Sequence, residues 1–175
     1  MNTASTIVLP QPGWSMRAWR EGDVAALARA ANDERILQWM SDTWPSPYTE
    51  DDARWWIGTG QHTGGMAWAL CRDDVPWGGA GVHPQTGFQR CNVELGWWLH
   101  PDHWGQGVVP AAAVHLVEQA FALPEVTRVF APIHAGNDRS VRVAEKVGMR
   151  LEAVQQRSAF KRGKVIDRVV YAAYR

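Results

Sequence analysis

The sequence lacks several features that would indicate a class of protein on their own. Its 175 residues include only two cysteines, which form no CxxC pair, so no disulfide framework is expected. No run of 18 apolar residues occurs, and the first residues show no basic segment followed by a long apolar one. We therefore predict a cytoplasmic protein that has no membrane partner.

The sequence also lacks an excess of charge of either sign. Eighteen basic residues balance 18 acidic ones, so the chain has no overall electrostatic attraction for nucleic acid, and no nucleic-acid partner is predicted. Two nucleotide-binding fingerprints are missing as well. There is no GxxxxGK[ST] pattern, and Pro110 stands where GxGxxG has its third glycine. Neither a P-loop nor a Rossmann turn is indicated, and no metal site is predicted.

The most informative stretch is 91–113, where a strand pattern changes into a helix pattern. Residues 91–99 alternate with period 2, which predicts a half-buried strand. Pro101 ends this strand, Gly105 and Gly107 predict a tight turn, and helical spacing runs from Val108 to about Ala122. The first N–H groups of a helix lack intrahelical partners and attract anions, which suggests a phosphate site. The alternative is a strand-to-helix turn that binds nothing.

Further elements follow from the same periodicities and from turn residues. Helical patterns occur after Asp23, over Glu34 to Met40 and after Thr49, which forms an approximate capping box with Asp52. Asn137 can cap a helix over 138–147 that stops at Gly148. The remaining predicted strands are 14–19, 66–72, 77–82, 127–134, and a hairpin of 150–160 with 165–174.

Two motifs together resemble the GNAT superfamily of acetyl-CoA-dependent N-acetyltransferases, and within it the RimJ/RimL-like branch. They are ELGWWLHPDHWGQGVVPAA and HAGNDRSVRVAEKVGM, and the likeness extends over nearly the whole chain. The family pattern Gln/Arg-x-x-Gly-x-Gly/Ala falls on Trp104, Gly107 and Val109. A second pattern, Asn-x-x-Ser followed by Glu-Lys-x-Gly-Phe, falls on Asn137, Ser140, Glu145, Lys146, Gly148 and Met149.

The resemblance implies a single α/β (α+β) domain over 1–175, with its core at about 13–175. It implies a mixed, mostly antiparallel sheet of six or seven strands flanked by about four helices. In this family the fourth and fifth strands splay apart to admit the coenzyme. Here those strands are 91–99 and 127–134, so acetyl-CoA is expected between them. A homodimer is also possible, although no sequence pattern demonstrates it.

The resemblance also implies which residues contact acetyl-CoA, the co-substrate. Trp104 and Val109 depart from the family pattern, but backbone N–H groups hold the phosphates, so we expect the site to persist. Asn137 could instead be only a helix cap, and Lys146 only a solvated charge. The expected coenzyme contacts are Trp98, Leu99, Trp104, Gly105, Gln106, Gly107, Val108, Val109, Asn137, Ser140 and Lys146.

Direct attack of an amine on the acetyl thioester in a ternary complex is the chemistry that the family implies. An alkyl ammonium must lose a proton before it can attack, and Glu94 is the candidate base. The alternative is a structural carboxylate bonded to a neighbouring strand or to Arg90. Asp167 and Tyr48 are weaker candidates for the base, and His134 could shuttle a proton.

The thiolate that leaves must also be neutralised. Many members of the superfamily carry a tyrosine for this purpose on the helix that follows the second pattern, and its position here is Ala144. Ser140 or solvent would then supply the proton. Because that tyrosine is missing, a non-catalytic acyl-CoA-binding sensor or scaffold is an alternative function. A nucleotide-binding module that uses the same turn is a more distant one.

The acceptor is expected to be a primary amine, either a protein or peptide N-terminus or a small molecule. Its pocket is predicted to be bounded by the loop containing Trp44 and Tyr48, by Trp97 with Trp98, and by the final hairpin. The prolines in that loop hold it extended, which fits either an exposed recognition wall or a buried packing loop.

Overall fold

Eight strands build the sheet of this protein in the computed structural model, which describes residues 5–175. Each strand that periodicity predicts is present, with ends shifted by at most two residues. The additional strand, β1, has two residues and is too short to show a period. The strands are β1 Ile7–Val8, β2 Trp14–Ala18, β3 Met66–Arg72, β4 Val75–Pro84, β5 Asn92–Leu99, β6 Arg128–His134, β7 Arg150–Lys161 and β8 Lys164–Tyr174.

Five α-helices accompany the sheet: α1 Val24–Ala31, α2 Glu34–Leu37, α3 Glu50–Gly58, α4 Val108–Phe121 and α5 Asp138–Lys146. The capping box at Thr49 and Asp52 is confirmed, since both of its hydrogen bonds are present. The predicted helix Glu34 to Met40 is shorter than expected. Its final turns tighten into i to i+3 bonds, as when the Trp39 N–H donates to the Ile36 carbonyl. Within residues 5–175, no helix has the length and apolar character needed to cross a membrane.

Helices cover both faces of the sheet and bury a cluster on each side. On one side α4 packs on β4, β5 and β6, and the cluster includes Leu95, Leu116 and Val129, each at most 2% exposed. On the other side α1 and α3 pack together above Ala69 and Cys71. Val93, Leu95 and Leu99 of β5 belong to the first cluster, while Trp98 packs against the second, as a period-2 pattern predicts.

The strand order is β1-β2-β3-β4-β5-β6-β8-β7, and only the β5–β6 pair is parallel. These two strands pair over just three positions, from Asn92 opposite Arg128 to Glu94 opposite Phe130. Farther along, β5 stays with β4 as far as Leu99, while β6 stays with β8 as far as His134. The predicted separation of the fourth and fifth predicted strands is confirmed, and it opens a wedge in the middle of the sheet.

Candidate active site

A cavity of about 670 Å³ occupies the wedge between β5 and β6. One end lies against the turn before α4 and the first turns of α5. The other end lies against the end of α2 and reaches Arg168 on β8. The cavity therefore passes from one side of the split sheet to the other, and it has room for a coenzyme arm and a second molecule.

The turn between β5 and α4 presents a row of free backbone donors. Gly107 has φ of 79° and is the N-cap of α4, so the chain enters the helix from a left-handed conformation. The first helical hydrogen bond is donated by the Ala111 N–H to the Gly107 carbonyl, at 3.1 Å. Within the described part of the chain, no N–H group of residues 105–109 donates a hydrogen bond. Such a row at the positive end of a helix is suited to a pyrophosphate.

Trp104 fixes this turn to the end of β5. Its indole Nε1 donates a 2.7 Å hydrogen bond to the Leu99 carbonyl. On its other side the Arg139 guanidinium stacks on the ring, with Cζ 4.6 Å from the centroid. The tryptophan thus links the strand, the turn and α5, and the Arg139 charge stays beside the free N–H groups.

The start of α5 lines the same end of the cavity. The Asn137 Oδ1 accepts a hydrogen bond from the Ser140 N–H at 3.3 Å, so the predicted helix cap is present. Its amide NH₂ makes no hydrogen bond to any residue of 5–175. Arg142 and Lys146 follow on the same helix and also line the cavity. This end therefore combines backbone donors with three cationic side chains of α5.

Glu94 lies on the opposite face of the sheet from α4. Its registered neighbours are His83 on β4 and Phe130 on β6, so the three side chains share one face. Glu94 is half-buried and lines the cavity, and no hydrogen bond to its carboxylate exists among residues 5–175. Arg90 pairs with Glu125 at 3.4 Å instead. The carboxylate is thus available to a ligand.

His134 and Arg168 lie farther along the same face, at the other end of the cavity. They are direct partners in the β6–β8 register. The Nδ1 atom of His134 is buried and has no hydrogen-bond partner in the described structure. Burial, with the nearby charges of Lys161 and Arg168, lowers the pKa of His134 below its usual value. A neutral imidazole is therefore expected here at pH 7.

Comparison with known proteins decides the family. A family model described as an acetyltransferase (GNAT) domain matches residues 15–150. The chain belongs to the GNAT acetyltransferase family.

Individual relatives agree with this family. YkkB, an uncharacterised protein of Bacillus subtilis, is 35% identical over 72 residues, which are 41% of this chain and 42% of that protein. The putative ribosomal N-acetyltransferase YdaF of the same species is 25% identical over 149 residues, 81% of this chain and 79% of YdaF. Mycobacterium smegmatis RimJ in complex with CoA-disulfide superposes with a TM-score of 0.83, at 20% identity over 97% of this chain and 87% of RimJ. That last likeness concerns the fold.

Most of the predicted coenzyme contacts of this GNAT protein line the cavity, but two predicted acceptor contacts do not. Tyr48 is 5% exposed and packs beside Trp44, with ring centroids 5.1 Å apart. The Asn32 side chain accepts from the Tyr48 N–H at 2.7 Å, which holds the loop against α1. Burial also raises the pKa of Tyr48 to about 12, which does not suit a base at neutral pH. Tyr48 thus packs in the core, and Trp44 contacts Trp98, a cavity-lining residue, with ring centroids 5.7 Å apart.

The end of the cavity beside α2 and β8 contains residues that the sequence patterns did not predict. Trp39 and Met40, directly after α2, line the cavity, as do His83 and Arg168. The only local signal was an aromatic residue at the end of a helical pattern. The pairing register between strands that are distant in sequence brings His83 and Arg168 to the cavity, and no local sequence pattern predicts that register. Gln106 and Asp167 are not among the cavity-lining residues, and the Asp167 carboxylate accepts from the Arg157 N–H at 2.7 Å.

The tip of the β7–β8 hairpin is held against the segment that follows α2. Lys161 Nζ lies 3.0 Å from the Asp42 carboxylate, and the Arg162 N–H donates to the same group at 2.9 Å. The Arg162 guanidinium also pairs with Glu34 at 2.5 Å. These contacts hold the pKa values of Asp42 and Glu34 below their usual range. They join the hairpin tip to the segment after α2, although Asp42, Lys161 and Arg162 do not themselves line the cavity.

Proposed function

We propose that this GNAT protein transfers the acetyl group of acetyl-CoA to a primary amine, by direct attack within a ternary complex. The observation that carries the proposal is the row of unpartnered N–H groups at residues 105–109, flanked by the cationic side chains of α5. A pyrophosphate bound there would place the pantetheine arm in the wedge, beside Trp98 and Leu99. The thioester would then reach the region of Glu94.

Glu94 is the proposed base. Its carboxylate has no protein partner within residues 5–175, lines the cavity and faces the acceptor end. An amine that enters from that end arrives as an ammonium ion, and the carboxylate takes its proton directly or through one water. The nitrogen lone pair then attacks the thioester carbonyl carbon, the C–S bond breaks as the thiolate of CoA leaves, and the second proton on nitrogen passes to solvent to give the neutral amide.

Protonation of that thiolate falls to Ser140 or to solvent. Ala144, at the position of the family tyrosine, is fully buried and carries no ionisable group. Ser140 lines the cavity, and its N–H donates a hydrogen bond to the Asn137 Oδ1. The same observation favours a second candidate function, a non-catalytic acyl-CoA sensor or scaffold, because a chain without a proton donor would retain coenzyme but turn over slowly.

Neighbours named RimL, RimJ and ribosomal-protein-alanine acetyltransferase support a place in the RimJ/RimL-like branch. A peptide N-terminus is therefore one proposed acceptor, beside small amines. A cytoplasmic setting, a homodimer and a single domain over 1–175 also remain proposals. The role of Trp97, which lines the cavity, as an acceptor contact is part of the same proposal.

Calorimetric titration with acetyl-CoA, CoA and ATP, followed by thiol release against peptides and small amines, tests the proposal. We expect binding of acetyl-CoA and CoA, no comparable binding of ATP, and thiol release with at least one amine. Glu94→Gln should lower kcat/KM for the amine by about 100-fold, within the usual range for loss of a general base, and leave acetyl-CoA affinity unchanged.

Glu118→Gln is the matched control, because Glu118 is an exposed residue of α4 that does not line the cavity. Binding without release on any amine would favour the sensor. Equal turnover in Glu94→Gln and Glu118→Gln would exclude Glu94 as the base. If acetyl-CoA does not bind, the coenzyme assignment is refuted.

A further inference from the structure

The cavity is cationic although the chain as a whole is neutral. Its only lining carboxylate among residues 5–175 is Glu94, against five arginine and lysine side chains. Arg139, Arg142 and Lys146 lie on α5 beside the phosphate turn, so the proposed coenzyme accounts for them. Arg35 already pairs with Asp33 at 2.6 Å. Arg35 and Arg168 line the far end of the cavity, where the proposed coenzyme explains neither of them. Arg168 has no carboxylate partner among the described residues.

The position of Arg168 relative to Glu94 follows from the sheet registers. Glu94 is level with Phe130 on β6, and Arg168 is level with His134, four residues farther along β6. At about 3.3 Å per residue this is roughly 13 Å along the strand. Both side chains lie on the same face. Since glutamate and arginine side chains can extend toward each other, a ligand of roughly 10 Å would contact both.

Arg168 and His134 have unused hydrogen-bonding capacity. The Arg168 Nε donates to the Ser158 Oγ at 3.3 Å, which orients the guanidinium, while its two Nη groups have no partner in residues 5–175. The buried Nδ1 of His134 has none either. The neighbouring cation, Lys161, is engaged with Asp42. The half-buried Arg168 thus has two free Nη groups beside the cavity, and the buried Nδ1 of His134 lacks the partner that buried polar atoms normally have; together they indicate a ligand.

We propose that Arg168 and His134 form an anion subsite for the acceptor. The acceptor is then a primary amine that carries a carboxylate or a phosphate roughly 10 Å from its nitrogen. The guanidinium fork matches either group, and the imidazole adds one hydrogen bond. The inference rests on the proposed function, because it assigns the amine to Glu94 and the acetyl donor to the phosphate turn.

This length excludes simple α-amino acids and suits an extended peptide. A chain spans about 3.3–3.6 Å per residue, so the anionic group would belong to the third or fourth residue from the N-terminus. Polyamines and other polycationic acceptors are disfavoured, because additional ammonium groups would lie beside Arg168. The acceptor class is therefore an amine with an acidic group, and not a polycation.

Matched peptides test the inference. Peptides with an amidated C-terminus carry Glu or Gln at the third residue, and a further pair carries phosphoserine or serine there. We measure kcat/KM for acetyl transfer and, separately, calorimetric affinity of each peptide for the protein saturated with CoA. We expect both anionic peptides to be preferred by about tenfold, as for a charge-assisted hydrogen bond partly open to water. The ratio between the carboxylate and phosphate peptides identifies the preferred anion.

Arg168→Gln should remove this preference, so that anionic and neutral peptides become equivalent while the affinity for acetyl-CoA is unchanged. Arg150→Gln is the control, because Arg150 is an exposed arginine of β7 that does not line the cavity. Equal use of anionic and neutral peptides by the unmodified protein would overturn the inference. So would a preference that survives in Arg168→Gln. If no peptide is acetylated, a peptide acceptor is excluded, whereas the proposed function fails only if no amine of any kind releases thiol; the affinities in the CoA complex still decide whether the subsite exists.

Discussion

Replacing Gly107 by alanine is expected to damage the coenzyme site through the backbone alone. Gly107 has φ of 79°, a conformation that costs a residue with a Cβ roughly 1–2 kcal/mol. The added Cβ would also lie 3.2 Å from the Gln11 Nε2, the end of a flexible side chain. The folded protein should therefore lose about 1–2 kcal/mol, which lowers Tm by about 2–8 °C for a chain of this size.

The substitution should weaken the affinity for CoA by more than it lowers the stability of the fold. Any rotation that relieves the strain turns the N–H groups next to residue 107 away from the pyrophosphate. Losing one hydrogen bond to a charged group costs about 1.5–3 kcal/mol, which weakens binding roughly 10- to 100-fold. Calorimetric titration with CoA measures this affinity directly, and thermal unfolding without ligand measures the stability.

Gly163→Ala provides a matched control. Gly163 has φ of 77°, and a Cβ there would meet no atom within 4 Å. It lies at the hairpin tip, away from the phosphate turn. Both variants should lose similar stability, but only Gly107→Ala should lose affinity for CoA. If the two variants bound CoA equally well, the backbone of residues 105–109 would not be what holds the pyrophosphate.

Two further predictions concern the surroundings of this turn. His103 is 9% exposed between Trp14 and Trp77, and burial lowers its pKa below the usual 6.5. The unfolded chain therefore binds a proton more readily, so the free energy of unfolding should fall as pH drops from about 7 to 5. Urea unfolding of His103→Phe should show a shallower fall, and an unchanged slope would refute the assignment. Trp104→Phe keeps a ring for Arg139 but loses the hydrogen bond to Leu99, so CoA affinity should fall about three- to tenfold. Equal CoA affinity in Trp104→Phe and the unmodified protein would show that this bond does not order the turn.

The coenzyme half of the site was predictable because it is built from local patterns. The change from period 2 to helical spacing places the turn, and Gly105 and Gly107 mark its left-handed positions. Asn137 caps α5 as its residue type predicts. Each of these features depends on neighbours a few positions away, which a single sequence displays directly.

The acceptor half was not predictable because distant parts of the chain assemble it. The partner of Glu94 on β4 and the partner of His134 on β8 depend on strand register. The helix pattern through Met40 ended early at Leu37, and this exposes Trp39 and Met40 to the cavity. The Trp44–Tyr48 loop fitted either of two environments, and its burial depends on contacts with α1 and Trp98 that no local pattern encodes.

The contact between the hairpin tip and Asp42 joins positions 120 residues apart. One wall of the acceptor end thus comes from an early segment of the chain, and another comes from the last strands. The coenzyme end is built by the intervening stretch, from β5 to α5. Substitutions at Trp39, Met40 and Arg168 could therefore alter the acceptor contacts without changing the turn between β5 and α4. A change of acceptor would then leave the proposed phosphate turn intact.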